Sequence, residues 1–573
     1  MSVASSSSRL VRSNIVRSVR KINVKPSSLD IPSFLLPSLS IRHQSSSSDA
    51  PKRRDKERYN YNTSLSFSES PDPDHVHWRR VTAAELTSRK EPPTRVKMLV
   101  RDFIDDSLYN PNYGYFSRNV TIFTPPKEGF DFGSFADTAA FQEAVAERYE
   151  KEYGLELTNG QTGGLGRQVW HTPTELFKPY YAQTILSSIL QTYKLNHFPH
   201  EPLILYEVGA GNGSFMIDSL NFLKKNHPEI FKKVEYRIIE ISTSLAKGQK
   251  SRAEQEGFEN KVTVINSDFF KWDGMIPGKE KKNEEACFVI ALEVFDNFAH
   301  DMIRYDIETL TPFQALVTID NSGDFSLIYE PIKDNLIRRV LAYKKLLPEN
   351  SISKLENNFI KPPINNSFLL NSNFLRFLYS NLPFSPNLTK PDFLPTKSIL
   401  FLENLRKLLP NHRLLISDFD FLPDSVKGRN GPVVQTRYGD SMIPCETFLV
   451  KQGYFDIFFP TNFELLRDIY SIIMNSPSIN QNENENSNLI KNQNNSKNDD
   501  AKQLILKKDF FSSLGVKGFK RRKINIYKHN EFIDKFAGNN NNNNNKNEIL
   551  KKTNLKNGEN VMKQLYNNVK VMF

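Results

Sequence analysis

The stretch LYEVGAGNGSF sets Glu207 ahead of Gly209, Gly211 and Gly213. After a strand, a G-x-G-x-G turn lets the backbone approach a ligand where a Cβ would clash. It also opens a helix whose N-terminal amides attract negative charge. Two chemistries use such a turn. A dinucleotide site prefers G-x-G-x-x-G and an acid about 20 residues on. Here the third glycine falls one position early, and the next strand-terminal acid is Glu240, 31 residues after Gly209. That arrangement suits S-adenosylmethionine better. Glu240 ends the second strand, where a carboxylate can accept from both ribose hydroxyls, and Asp268 ends the third, placed to accept from the adenine amino group. Solvated strand ends or helix caps are ordinary roles for acids; they explain each residue singly, but not both in register with the glycines.

A fourth apolar run leads into ALEVFDN, which sets Glu293, Asp296 and Asn297 at the carboxyl edge of the sheet, where open α/β folds bind ligands. Methyl transfer from a sulfonium is an in-line displacement, so the protein mainly positions the nucleophile and excludes water. An arginine acceptor is cationic, with a pKa above about 12. Carboxylates would orient it and localise its charge, leaving one nitrogen richer in electrons. Glu293 and Asp296 are the candidates; the alternative is that they cap a following helix.

The elements that must hold these residues follow from hydrophobic period. LILYEV (203–208), VEYRIIE (234–240), KVTVINSD (261–268) and CFVIALEV (287–294) are short apolar runs, and amphipathic helices are expected over 214–226 and 242–256. This β-α-β-α-β-β succession predicts a parallel, doubly wound, Rossmann-like sheet, whose strands are covered on both faces. Before it, Val96, Leu99, Val100, Phe103 and Ile104 predict a helix over 94–108 with Thr94 as cap. The aromatic turn YNPNYGYF (109–116) could lie over a site or be a packed surface turn. Further helices are expected over 137–152, 173–195, 334–347 and 398–408, and strands in MIRYDIETL, FSLIYEPI and RLLISDFD (413–420).

Charge divides the 573 residues unevenly. The formal net charge is +11, yet residues 1–60 carry 12 basic and 4 acidic side chains, residues 501–573 carry 16 and 5, and the body 61–500 is net −8. The N-terminal MSVASSSSRLVRSNIVRSVRKINVKPSSL is Arg-rich, Ser-rich and free of acids before Asp30, the pattern of a mitochondrial presequence; a disordered basic tail is the alternative. We divide the chain into a presequence (1–45), a polar linker (46–76), an N-terminal helical cap (77–200) and an α/β core (201–475). An Asn-rich tract (476–500) and a C-terminal part of the same domain (501–573), interrupted by poly-Asn 539–545, complete it. Both tracts are too polar to offset ordering entropy and read as loop insertions. Two cysteines, Cys287 and Cys445, exclude a disulfide framework and a Cys-based zinc site. No metal is expected, and no apolar run of about 18 residues predicts a membrane span.

Several segments together resemble the MidA-like mitochondrial methyltransferases. RDFIDDSLYNPNYGYFSR (101–118) resembles that family's N-terminal signature, LYEVGAGNGSFMIDSL (205–220) with IIEIS (238–242) its cofactor motif, and IALEVFDN (290–297) its "aNEfFDalP" segment. Weaker echoes are ISDFD (416–420), FPTNFELL (459–466), DFFSSLGV (509–516) and the closing MKQLYNNVKVMF. The resemblance implies a class I S-adenosylmethionine-dependent methyltransferase core with an added N-terminal helical segment and a C-terminal α+β extension. It implies cofactor contacts by Gly209, Gly211, Gly213, Glu240 and Asp268, with Glu207 leading the same motif, and an acceptor faced by Glu293 and Asp296. It further implies protein-arginine methylation (symmetric dimethylation) in the mitochondrial matrix, a complex I subunit as substrate, and a role in assembling respiratory complex I (NADH:ubiquinone oxidoreductase). The family's Asn-Glu is here Leu292-Glu293, and its Ala-Leu-Pro is Asn297-Phe298-Ala299. These departures lie beside the acceptor pocket.

Two other functions remain open on the sequence: a methyltransferase fold kept as an assembly scaffold, and an RNA methyltransferase or binding factor using the basic GFKRRKINIYKH (518–529). The acidic body disfavours nucleic acid and favours a cationic substrate.

Overall fold

The computed structural model describes residues 73–573 except 119, 123, 150, 152–167, 280–284, 348–360, 365–371, 384, 424, 439–440, 476–523 and 538–547. The presequence 1–45, nearly all of the linker 46–76, both asparagine-rich tracts, DFFSSLGV and the KRRK run of the basic segment lie outside the described residues.

A seven-stranded sheet forms the core. Its strands are β1 (Ile204–Val208), β2 (Glu235–Glu240), β3 (Val262–Asn266), β4 (Cys287–Leu292), β5 (His412–Phe419), β6 (Ile526–Lys528) and β7 (Val569–Met572). Helices α1 (Ser214–Asn226) and α2 (Thr243–Gln255) connect the first three. The strand order is 3-2-1-4-5-7-6, with β7 antiparallel to both neighbours. Alternate residues of each strand enter opposite cores. Leu205, Ile238, Ile290, Leu415 and Val571 pack on one face, while Tyr206, Ile239, Ala291, Ile416 and Met572 pack on the other. Both faces are dry, which is why the strands read as continuous apolar runs.

A second sheet stands beside the first. Pro312–Ile319 pairs antiparallel with Val96–Leu99, Asp301–Tyr305 and Phe325–Pro331, and Asp392–Leu394 extends it. This corrects the helix expected over 94–108. Residues 96–99 are a strand with the buried pattern of Val96, Met98 and Leu99, and the helix runs Val100–Tyr109 with Leu99, not Thr94, at its cap. Val96, Leu99, Val100 and Phe103 satisfy helical spacing, but the sheet partner at Leu316–Ile319 decides the first four residues. Residues 77–200 therefore contribute strands as well as helices. Proline also divides the helix expected over 173–195 into Pro173–Leu176 and Tyr180–Asn196, with Pro179 at the second cap.

Candidate functional site

β1 ends at Val208, and the chain reverses through Gly209, Gly211 and Gly213 with φ of 69°, 53° and 75°. These are left-handed conformations that cost a Cβ-bearing residue about 1–2 kcal/mol. The Gly209 N–H donates to Ile239 O at 3.0 Å, keeping the turn abreast of β2. α2 braces it from the side. Gln249 Nε2 donates to Gly211 O (2.8 Å) and to Glu240 Oε2 (3.0 Å), and Arg252 Nη1 donates to Asn212 O (2.6 Å).

The turn opens on a cavity of about 1070 Å³, lined by Glu207, Gly209, Gly211, Glu240, Asp268, Glu293 and Asp296. Of the residues singled out in the sequence, Gly213 alone is outside this lining; it caps α1. Glu240 is 3% exposed, and its Oε1 accepts the Ser242 N–H at 2.9 Å. The Ser242 N–H, Gln249 and the Ile241 N–H all favour its charged form, and a carboxylate's roughly four acceptor positions still leave capacity for a ribose hydroxyl. Burial raises the Glu240 pKa against those hydrogen bonds. Burial likewise pushes Glu207 up to about 7, with Glu240 and Glu175 adding to the rise and the Tyr236 hydroxyl, 2.7 Å away, opposing it. Asp268 Oδ1 accepts the Phe270 N–H at 2.9 Å, so this acid shapes its own loop while its side chain stays 23% exposed beside the cavity. A glycine-rich turn, a buried carboxylate with acceptor capacity and a strand-end acid fit the ribose, adenine and cationic groups of S-adenosylmethionine.

Glu293 follows β4 with φ of 54°, and its N–H donates to Ser417 O at 2.9 Å. No helix follows it: residues 293–300 turn directly into the strand Asp301–Tyr305, which removes the capping alternative. Asp296 is 2% exposed, and its N–H and that of Phe295 donate to Asp418 Oδ2 at 3.2 and 2.8 Å. Asp418, from β5, was missed by sequence reasoning; burial and the adjacent Asp296 hold its pKa well above the ordinary carboxylate range.

The far wall of the cavity comes from helix Val100–Tyr109. Asp102, Asp105, Asp106 and Tyr109 all line it; their i, i+3/i+4 spacing was the available signal, overlooked within RDFIDD. Lys397 Nζ pairs with Asp105 at 3.0 Å and sits 4.0 Å above the Phe270 ring. Arg101 pairs with Asp301 and Asp334 at 2.5 and 3.0 Å. The aromatic turn lies over the cavity through Tyr109, Pro111 and Phe116, with the Tyr109 and Phe116 rings stacked at 5.2 Å. It is pinned by buried Asp106, which accepts from Asn110, Tyr113 and Gln452. Nine carboxylates and three cations line the cavity.

A parallel α/β sheet ordered 3-2-1-4-5-7-6 with one reversed strand, and a glycine turn after its first strand, define a class I S-adenosylmethionine-dependent methyltransferase fold. A model of a family of S-adenosyl-L-methionine-dependent methyltransferases matches residues 184–480, and the chain belongs to that family. The cofactor is accordingly S-adenosylmethionine and the reaction class methyl transfer. The chain is similar to the protein arginine methyltransferase NDUFAF7 homolog, mitochondrial, of Schizosaccharomyces pombe, with 23% identity over 60% of this chain and 68% of that protein. Among solved structures, it is similar to a Burkholderia thailandensis protein with S-adenosyl-homocysteine bound (15% identity, 71% of this chain and 79% of the other, TM-score 0.39). It is also similar to a methyltransferase from Aquifex aeolicus (15% identity, 22% and 57%, TM-score 0.16). Among the described residues, no helix is long and apolar enough to cross a membrane.

Proposed function

We propose that this protein methylates arginine side chains of a mitochondrial matrix protein and thereby supports assembly of respiratory complex I. The supporting observation is the single cavity in which the glycine turn and Glu240 adjoin Glu293 and Asp296 within a wall carrying nine carboxylates and three cations. When bound, S-adenosylmethionine supplies a methyl group on a sulfonium. In this reading Gly209 and Gly211 admit it closely, Gly213 completes the turn as the cap of α1, Glu207 faces its cationic end, Glu240 accepts from the ribose hydroxyls, and Asp268 accepts from the adenine. Glu293 and Asp296 hold the guanidinium and localise its charge away from the attacking nitrogen. The acidic wall attracts a cation and repels phosphate, which favours a protein acceptor over RNA. The mitochondrial address and the complex I role rest on the leader pattern, the family resemblance and the name of the fission-yeast relative.

Mass spectrometry of mitochondrial proteins with and without this chain tests the reading. Loss of methyl-arginine from a complex I subunit is expected, together with less assembled complex on a native gel. An unchanged methyl-arginine profile would remove the arginine assignment, and normal complex I would remove the assembly role.

A further inference from the structure

The order of strands orders the cavity. Asp268 after β3, Glu240 at the end of β2, the glycine turn after β1 and Glu293 after β4 follow one another along the sheet edge, because β3, β2, β1 and β4 are successive neighbours. With adenine beside Asp268 and ribose on Glu240, the amino-acid end of the cofactor is carried past the glycine turn. There it meets a group that no motif announced. Glu175, in the short Pro173–Leu176 helix, lines the same cavity, is only 4% exposed and has its own N–H fixed on Thr172 Oγ1 at 3.2 Å. The side chains of Ser214 and Asn212, the residues that flank the third glycine, stand close enough to favour its ionised form against burial.

We propose that the Glu175 carboxylate receives the α-ammonium of the cofactor's methionine end; this rests on the reading of the cavity as the S-adenosylmethionine site. A carboxylate has about four acceptor positions, so a buried carboxyl facing the cavity has room for an ammonium donor. The neighbouring cations are Lys178 and Arg252, and Arg252 Nη1 is already engaged by Asn212 O and Ser214 Oγ at 2.6 and 3.2 Å. Glu207 and Asp218 stand close enough for Glu175 to oppose their ionisation. A buried carboxyl among other carboxyls is costly in isolation, and a bound ammonium supplies the charge-assisted hydrogen bond that relieves it. Glu175 would thus read the one part of the cofactor that neither Glu240 nor Asp268 touches.

The test uses 5′-methylthioadenosine, which keeps the adenosine and thioether but lacks the amino-acid end. Calorimetric titration of S-adenosylhomocysteine and of 5′-methylthioadenosine is compared in wild type, Glu175→Gln, Ser214→Ala and Glu240→Gln. Glu175→Gln is expected to weaken S-adenosylhomocysteine by about tenfold or more and to leave 5′-methylthioadenosine within about twofold of wild type. Retained methylthioadenosine binding also shows that the variant is folded. Ser214→Ala, which alters a neighbour of the same carboxyl without removing charge, should keep the wild-type ratio of the two affinities, and Glu240→Gln should weaken both ligands. Equal loss of both ligands in Glu175→Gln, no loss of either, or the same selectivity in Ser214→Ala would overturn the proposal. Wild type that binds neither ligand would remove the cofactor reading itself, and the proposal with it.

Discussion

The two walls of the cavity are built by opposite strategies. The wall formed by β1, β2, β3 and their turns draws Glu207, the glycines, Glu240 and Asp268 from one continuous stretch of about 60 residues, and its braces come from within that stretch: Gln249 and Arg252 reach back from α2. The opposite wall is assembled across the chain. Arg101 pairs with Asp301 and Asp334, Asp105 with Lys397, and the segment after Glu293 hangs from Asp418. A local wall is specified by spacing, whereas an assembled wall is specified by the second sheet and its burial. The difference separates what holds a common cofactor from what meets a particular acceptor.

The sharpest way to break this division is to strike each wall alone. Gly211 has φ of 53°, and Gly211→Val forces a β-branched residue into that conformation at the turn. Calorimetry should then show no measurable heat with S-adenosylmethionine; heats equal to wild type would remove the cofactor wall. On the other side, Glu293→Gln should lower the methylation rate by about 100-fold with cofactor affinity unchanged. Loss of affinity instead would place Glu293 on the cofactor side.

A smaller effect separates architecture from chemistry. Gly453 has φ of 82°, and a Cβ there would lie 1.8 Å from Tyr113 O in the aromatic turn. Gly453→Ala should cost about 2 kcal/mol or more in chemical denaturation. Unchanged stability would show that the turn is not held from behind. The smallest effect is a pH dependence. Glu207 sits at about 7 in the fold against an ordinary 4.5, so the folded protein keeps a proton that the unfolded chain releases. Its contribution to stability therefore falls as pH rises from about 4.5 to 7. A cationic ligand favours the ionised form, so affinity for S-adenosylmethionine should rise a few-fold between about pH 6 and 8, and Glu207→Gln should flatten that rise. A wild-type affinity independent of pH would show that Glu207 does not face the cation.

Legibility in the sequence follows the same division. The Rossmann-like core could be read because β1 to β4 are buried on both faces, so each is an apolar run bounded by turns. The residues that converge on the glycine turn could be read because strand ends and spacing place them there. Residues 96–99 were expected to be helical because their strand depends on a partner more than 200 residues away, whereas Pro312–Ile319 was missed although its hairpin partner Phe325–Pro331 is local. Glu175 and Lys397 could not be found by motif: each is an ordinary polar residue until tertiary packing brings it to the cavity; Asp418 lies within the ISDFD echo, but its hold on the segment after Glu293 comes only from the fold. The net charge of +11 pointed away from the site, since the cavity itself is acidic.

The most direct test of the two-walled account is a crystal structure with S-adenosylhomocysteine bound. The account predicts ribose hydroxyls on Glu240, adenine beside Asp268, and the sulfur turned toward Glu293 and Asp296, with the Asp102 and Asp105 wall untouched by the ligand. Adenosine seated among Asp102, Asp105 and Tyr109, or the sulfur directed away from Glu293, would contradict it.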